Sequence, residues 1–521
     1  MKKNIEYKVK DKKVVKKINY IPARYIFAMH VSVFEILAII AVVVALCYFV
    51  PYFYIAVYLT QVACVIKILS SDDNPDYKVP WLFFVLVLPV IGFMLYLIFA
   101  SRKLKKKYVC RLKDLYNTTY EKDDAELLAR LSQENVTAAN QAKMLLNISD
   151  AHLFEHTKTT YFPSGEQMLP VLLSDLKQAE KFIYMEYFII EEGEFWNSIL
   201  DVLKEKAKLG VEIKIVYDDI GCMTTLPGNY SKRLKEVGIQ ATTFARLKGA
   251  ADGEFNNRNH RKITVIDGYI GYTGGVNIAD EYINKKERFG YWKDTAVRLE
   301  GEGVWDLTKL FVIDYGINVK YIPESVHDLY PKVTDKTDNG YVIPFGDGPK
   351  PLYQRGVGKS VIQSMLSAAN EYVYITTPYL IIDNDLCQDI ENTAMRGVDV
   401  RIIVPSIPDK KIVYEMTRSF YNRLMSAGVK IYEYTPGFVH AKTYLVDDKY
   451  AMVGTINLDY RSLVHHFENG VWLYDNDCIA DIRKDLDDTL SKSELVTEEM
   501  KKAGIFKRFL RATLRVFAPL L

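Results

Sequence analysis

The sequence predicts an α/β protein: N-terminal transmembrane helices, then two α/β domains related by a pseudo-twofold, each a mixed β-sheet flanked by helices. Three observations carry this. Two long stretches near the N-terminus hold no charged residue. A motif around His260 returns around His440. Upstream of both motifs the chain reads strand, helix, Gly-Val, strand.

Residues 1–24 carry nine lysines and arginines against Glu6 and Asp11, a basic tail expected in the cytoplasm. The membrane anchor is expected over 25–101. Pro80 to Ala100 is free of charge, and its 21 residues make a helix of about 32 Å against a bilayer core of about 30 Å. Ile36 to Ile66 is also uncharged but, at 31 residues with Pro51 near its middle, too long for one upright span. It reads as one kinked, tilted helix or as two segments broken at Pro51. "RKLKKK" (102–107) adds five cations, whereas 67–79 sets Lys67 and Lys78 against three aspartates. Both basic segments therefore belong in the cytoplasm, which requires an even number of crossings. The expectation is two spans in the cell membrane, a cytoplasmic catalytic part, and a portion of 36–66 that is interfacial or re-entrant.

Residues 102–150 are expected to link anchor and catalytic unit, with 122–147 an amphipathic helix. Two domains follow, 151–335 and 336–490. "KFIYMEYFII…AKLGVEIKIVYDD" (181–219) parallels "EYVYITTPYLII…AMRGVDVRIIVPS" (371–406), and a duplication this long is no solenoid repeat. A net charge of only +2 gives no global field to draw in nucleic acid. The six cysteines (47, 64, 110, 222, 387, 478) are scattered singly, neither a disulfide framework nor a zinc pattern, as suits a reducing cytosol. Nothing in the chain specifies an oligomeric state.

The motif is "NHRKITVIDGYIGYTGGVNIADEY" (259–282), matched by "VHAKTYLVDDKYAMVGTINLD" (439–459). His260, Lys262 and Asp267 recur as His440, Lys442 and Asp447; Gly275 and Asn277 recur as Thr455 and Asn457. The runs alternate like strands, on which residues two apart share a face, so each histidine and lysine should point together. The paired glycines allow a close backbone approach. Further on, "DTAVRL" from Asp294 aligns with "ENGVWL" from Glu468.

Two such sets facing each other would surround a phosphate with cationic and amide donors. One imidazole can attack phosphorus while the other protonates the leaving alkoxide. Asp294 and Glu468 can accept the Nδ1–H of the histidines and orient them. No metal or other cofactor is called for, since lysines and asparagines supply the charge stabilisation, and a lysine two residues from each histidine would repel a dication.

Doubled His-x-Lys-x4-Asp followed by Gly-(Gly/Thr)-x-Asn resembles the phospholipase D superfamily. With "VYDDIGC" (216–222) and "YRSLVHHFE" (460–468), residues 80–521 resemble bacterial cardiolipin synthases. The resemblance implies two phospholipase D-like domains. It also implies transfer of a phosphatidyl group from one phosphatidylglycerol to another, releasing glycerol, through a phosphatidyl-histidine. Its partners would be the anionic phospholipid substrate and the bilayer. By the same resemblance the catalytic set is His260, Lys262, Asp267, His440, Lys442 and Asp447, with His260 as nucleophile. Gly275, Asn277, Thr455 and Asn457 are the substrate-binding set. Three positions depart from the usual pattern: Thr455 stands where serine is common, His466 where asparagine is, and Ala296 where histidine often is. Hydrolysis, headgroup exchange onto another alcohol, and a membrane-tethered nuclease are the alternative readings.

Lesser features remain. His152, His156 and His327 show no partner pattern and read as structural, His465 as a wall residue, and Asp448 as a turn residue. His466 sits at a functional position. Glu186, an acid inside an apolar strand, is expected exposed, paired or at the pocket rim. The tail 491–521 is basic and amphipathic. As a helix it puts Lys507, Arg508, Arg511 and Arg515 along one side and Phe506, Phe509, Leu510, Leu514 and Phe517 along the other. Its arginines are expected to face water or lipid headgroups.

Overall fold

β-Branched apolar runs become buried strands, and the amphipathic runs between them become covering helices, twice over. The computed structural model describes residues 3–5, 17–19, 23–50, 52–100, 123–246, 256–319, 329–331, 339–501 and 504–520. Most of the basic tail, Pro51, "RKLKKK" and His327 lie outside the described residues.

The first half builds a seven-stranded sheet. Its strands are β1 (Thr157–Phe162), β2 (Phe182–Tyr187), β3 (Glu212–Asp218), β4 (Gln240–Phe244), β5 (Lys262–Ile266), β6 (Ile270–Gly274) and β8 (Ala296–Gly301); β7 (Tyr291–Lys293) stands apart. Their order is β1-β8-β6-β5-β2-β3-β4. The second half uses β9 (Tyr341–Asp347), β10 (Tyr372–Thr376), β11 (Asp399–Pro405), β12 (Lys430–Tyr434), β14 (Thr443–Val446), β15 (Tyr450–Gly454), β16 (Glu468–Tyr474) and β17 (Ser493–Leu495), with β13 (Gly437–Val439) apart. Their order, β9-β16-β15-β14-β10-β11-β12-β17, repeats the first with one edge strand added. In both sheets the β2-β3-β4 and β10-β11-β12 strands run parallel, as their helical crossovers require, and the hairpin strands run antiparallel.

The two sheets share one core: Val297 and Leu299 of β8 pack in the same cluster as Ala451 and Val453 of β15. Polar contacts cross there too, Thr295 to Thr443 at 3.1 Å and Asn469 Nδ2 donating to Thr273 at 2.7 Å. Two short strand pairings cross the pseudo-twofold. β13 runs beside β7, and Asn259 bridges Phe467 in the equivalent place.

Three expectations need correction. Residues 122–147 are not one linking helix. Asn135 breaks them into α5 (Ala125–Glu134) and α6 (Val136–Ile148), its side chain accepting from Ala138 N. Both pack into the second half's core through Leu131, Ala142 and Leu145, so this segment is part of the catalytic unit.

Pro80–Ala100 is not one span. The uncharged run 36–66 forms α1 (Ala23–Phe49) and α2 (Phe53–Leu69), whereas α3 (Pro75–Val87) and α4 (Pro89–Phe99) double back on each other. Trp81 and Tyr96, 15 positions apart, have ring centroids 5.6 Å apart, which a continuous helix would hold about 22 Å apart. Pro89, which has no N–H, starts α4, and a Cβ on Gly92 would strike the Phe84 carbonyl oxygen, so only glycine allows the fold-back. Among the described residues one helix is long and apolar enough to cross a membrane: α1, with a mean hydropathy of 2.5 over Met29–Leu46.

The segment 67–79, placed between the two expected spans, packs against the second half through residues 74–77. Asn74 donates to Asp383 Oδ2 at 2.9 Å, Asp76 accepts from Asn384 N at 2.6 Å, and Tyr77 lies 5.8 Å from the ring of His465.

Candidate active site

Each histidine precedes a core strand, in the segment that crosses to the other half. His260 N donates to Phe467 O at 2.8 Å, and His440 N donates to Lys293 O at 2.7 Å. The residues after Phe467 and Lys293 are Glu468 and Asp294, so each crossing delivers a carboxylate to the opposite half's histidine. His260 Nδ1–H donates to Glu468 Oε1 and Oε2 at 2.9 and 2.8 Å, and His440 Nδ1–H to Asp294 Oδ2 at 2.7 Å. A carboxylate on Nδ1 fixes the tautomer and leaves Nε2 as the reactive nitrogen.

The acids are held in turn. Glu468 accepts from the hydroxyls of Ser462, at 2.7 Å, and Thr455. Thr455 thus keeps the hydroxyl role at its position, acting on Glu468. Burial alone would push the Glu468 carboxyl up, and the hydrogen-bonded His260 outweighs it, holding Glu468 well below the usual carboxylate range. Asp294 behaves alike: burial opposes ionisation and His440 overcomes it. A Cβ on Gly275 would sit 1.9 Å from Asp294 Oδ1, so the close approach that glycine permits is to this acid.

Burial pushes His260 down to about 3 and His440 to about 4, the nearby Lys442 adding to the effect on His440. Both are therefore neutral imidazoles at neutral pH, with a free Nε2 lone pair. Lys262 donates to the His260 carbonyl at 2.6 Å, and Lys442 likewise to that of His440, lying 2.9 Å from its Nδ1. Burial lowers the lysines to about 7 and about 8. Each is poised to gain a full charge when an anion enters.

The expected site residues divide. The two histidines, two lysines and two acids come together, with Gly275 and Thr455 behind them. Asp267 and Asp447 do not join them. They sit at the far ends of β5 and β14, at φ 53° and 52°. Each carboxylate accepts three backbone N–H groups, of Glu180, Lys181 and Phe182 or of Asn370, Glu371 and Tyr372, at 2.7–3.0 Å. They pin a hairpin turn to the neighbouring strand and are structural. Asn277 is occupied by the protein, accepting from Ile189 N and donating to Tyr282. Asn457 donates to Asp459 at 3.0 Å and keeps a buried Oδ1 without a partner among the described residues.

Three aromatic neighbours of the histidines were not singled out by spacing. The Phe188 ring lies 5.2 Å from that of His260, and Tyr282 and Trp292 each lie 5.5 Å from His440. His466 is 5.6 Å from His260 and 3.6 Å from Glu468, buried, with neither ring nitrogen hydrogen-bonded among the described residues. His260, His466 and Glu468 offer donors within 4.8 Å, a metal-like cluster. The Glu468 oxygens are already filled by His260, Ser462 and Thr455.

Glu186 is not at the pocket rim. Only 1% exposed, it lies beneath the His260 segment and accepts from Asn259. Burial raises its carboxyl well above the ordinary range, the charge of Asp314 adding to it. Arg258 grips Asp218 through two nitrogens, and Arg261 meets Asp314 at 2.8 Å. Across the pseudo-twofold Lys293 meets Asp485 at 2.8 Å. These buried pairs clamp both crossing segments. His152 is structural as expected, buried 2.9 Å from Asp306.

Comparisons with known proteins identify the family. Residues 172–292 and 362–490 match the family described as cardiolipin synthase, PLD-like domain, and 61–100 match a phospholipase D-nuclease N-terminal segment. A cardiolipin synthase of Halalkalibacterium halodurans is 32% identical over 476 residues, covering 90% of this chain and 94% of the relative. The chain belongs to the cardiolipin synthase family of the phospholipase D superfamily. Cardiolipin synthase 1 of Staphylococcus aureus is 35% identical over 430 residues, covering 80% of this chain and 86% of the relative. Among solved structures, a phosphatidylserine synthase of Haemophilus influenzae matches with a TM-score of 0.55 at 17% identity, covering 74% of this chain and all of that one, a likeness of fold. The doubled phospholipase D fold of this cardiolipin synthase family member is thus found by sequence and by structure alike.

Proposed function

We propose that the protein joins two phosphatidylglycerol molecules into cardiolipin with release of glycerol. The observation that carries this is the crossed pair of histidine–carboxylate couples with a depressed lysine beside each, in a chain of this family. His260 Nε2 attacks phosphorus and the P–O bond to glycerol breaks, the departing oxygen taking a proton from His440 Nε2. His440 then removes the proton from a glycerol hydroxyl of the second lipid, whose oxygen attacks phosphorus and frees His260. The entering phosphodiester anion supplies the charge that a protonated His440 and two lysine cations need. His260 takes the nucleophile's role by family resemblance, supported by the two-oxygen grip of Glu468.

The enzyme works in the cell membrane with its catalytic unit in the cytoplasm. The contacts of 74–77 with the catalytic unit support an even number of crossings made by α1 and α2, the latter a shorter apolar helix of 17 residues or about 26 Å. The α3–α4 hairpin, with arms of about 20 and 16 Å, enters the bilayer and returns. Vesicles of phosphatidylglycerol carrying labelled headgroup glycerol test the reaction: one glycerol should leave per cardiolipin formed. Phosphatidic acid as the main lipid product would make the protein a hydrolase. Cleavage of nucleic acid with lipids untouched would make it a tethered nuclease.

A further inference from the structure

The C-terminal helix, here α8 (Ile505–Phe517), is oriented opposite to expectation. Arg511 and Arg515 of its basic stripe face the protein, with Lys507 at the edge and Arg508 exposed. Arg511 meets Glu415 of α7 (Lys411–Ser419) at 2.8 Å, Lys507 approaches the same carboxylate at 3.7 Å, and Arg515 lies over the ring of Phe420. Positions 507, 511 and 515 form one stripe, and 505, 509 and 516 fall on the opposite side of the helix. There the side chains are bare: Phe506 is 88% exposed and Phe509 74%, with Ile505, Leu510 and Val516 beside them.

This face continues an apolar surface assigned above to the membrane. Phe517, at the end of α8, packs on Phe83 and Phe84 of α3 at 5.4 and 5.3 Å, and Leu520 joins the hairpin cluster around Trp81. Phe83, Leu86 and Val87 of α3 are themselves exposed. We infer that α8 lies in the membrane plane with Ile505, Phe506, Phe509 and Val516 sunk into the acyl boundary of the bilayer. Arg511 and Arg515 act as a clamp to the second domain. In-plane helices of this kind bury their apolar face by roughly 5–10 Å. The α3–α4 side of the second domain, joined to it where the Tyr77 ring lies 5.8 Å from that of His465, is then held against the lipid surface.

This inference rests on the membrane reading proposed above, so its test carries a control for that reading. The full-length chain, with Cys47 and Cys110 changed to serine, is reconstituted in vesicles of phosphatidylglycerol and phosphatidylcholine and labelled with bimane at a single introduced cysteine. Quenching by lipids brominated at mid-chain is then measured for Phe506→Cys, Phe509→Cys, Phe34→Cys on α1 and Leu209→Cys on the far first domain. The expected result is strong quenching at 506, 509 and 34 and almost none at 209. Quenching at 34 but not at 506 or 509 overturns the inference, and crosslinking between copies at 509 would show a second copy covering the face. Absence of quenching at 34 would mean that the membrane reading itself has failed. As a second readout, Phe506→Ser with Phe509→Ser should lower turnover of vesicle substrate about tenfold and leave a short-chain soluble phosphodiester unaffected. Equal loss on both, with a lowered melting temperature, would make the face structural.

Discussion

Changing Glu468 to glutamine removes one negative charge beside His260, a charge that also favours the Lys262 cation, and leaves the shape of the side chain unchanged. The hydroxyls of Thr455 and Ser462 can rotate to accept from the new amide, so the ring stays oriented. What is lost is the stabilisation of the positively charged N-phosphoryl imidazolium. With Nδ1 and the carboxylate oxygens 2.8–2.9 Å apart, the charge centres lie roughly 4 Å apart, and at an effective dielectric of about 20 their interaction is about 4 kcal/mol. That corresponds to a rate loss of about 10³ in the first chemical step. The same arithmetic applies to Asp294→Asn and the imidazolium form of His440. The two variants part company with a 4-nitrophenyl phosphodiester, whose leaving group needs no proton. The stopped-flow burst of nitrophenolate should fall about 10³-fold in E468Q and less than about tenfold in D294N. The reverse pattern would make His440 the nucleophile. Unchanged bursts in both, with native folding, would refute the crossed carboxylate assignment.

Three further outcomes are expected. Lys262 and Lys442 are cations below about 7 and about 8 and neutral above, so kcat/KM for an anionic phosphodiester should hold from about pH 5 to 7 and fall beyond. A profile flat to pH ~9.5 would show that the lysines do not bind the phosphate. Gly275→Ala should displace Asp294 and lower kcat about 100-fold in the folded variant, as an error of about 1 Å in a catalytic group does. Asp447→Ala should leave kcat within about twofold while costing about 2–3 kcal/mol of stability in urea unfolding, because it unties three backbone N–H groups far from the reacting atoms. A large kcat loss in the folded variant would restore Asp447 to the catalytic set.

What the sequence made legible was whatever recurred. His260 with His440, Lys262 with Lys442 and Asp294 with Glu468 could be paired by spacing alone, and the duplication implied that the two halves share one fold. Which acid meets which histidine could not, because it depends on how the two sheets dock. Asp267 and Asp447 misled for the same reason that the histidines succeeded: a duplicated turn is as periodic as a duplicated site. The Asp267-Gly268 and Asp447-Asp448 pairs that close each apolar run were the signal of a turn, and the backbone there is left-handed. Charge counting identified Pro80–Ala100 as apolar but not as folded back, although Pro89 and Gly92 inside the run marked the bend. On α8 the hydrophobic pattern defined two faces without saying which met protein. Glu415, nearly a hundred residues away, decides that.

Rapid-quench analysis of a single turnover, with glycerol and diacyl groups separately labelled, addresses the two-step transfer most directly. About one glycerol per active site should appear before any cardiolipin, with the phosphatidyl label on the peptide containing His260 and removable by added glycerol to re-form phosphatidylglycerol. Glycerol and cardiolipin rising together from the first time point, with no label on either histidine, would contradict it.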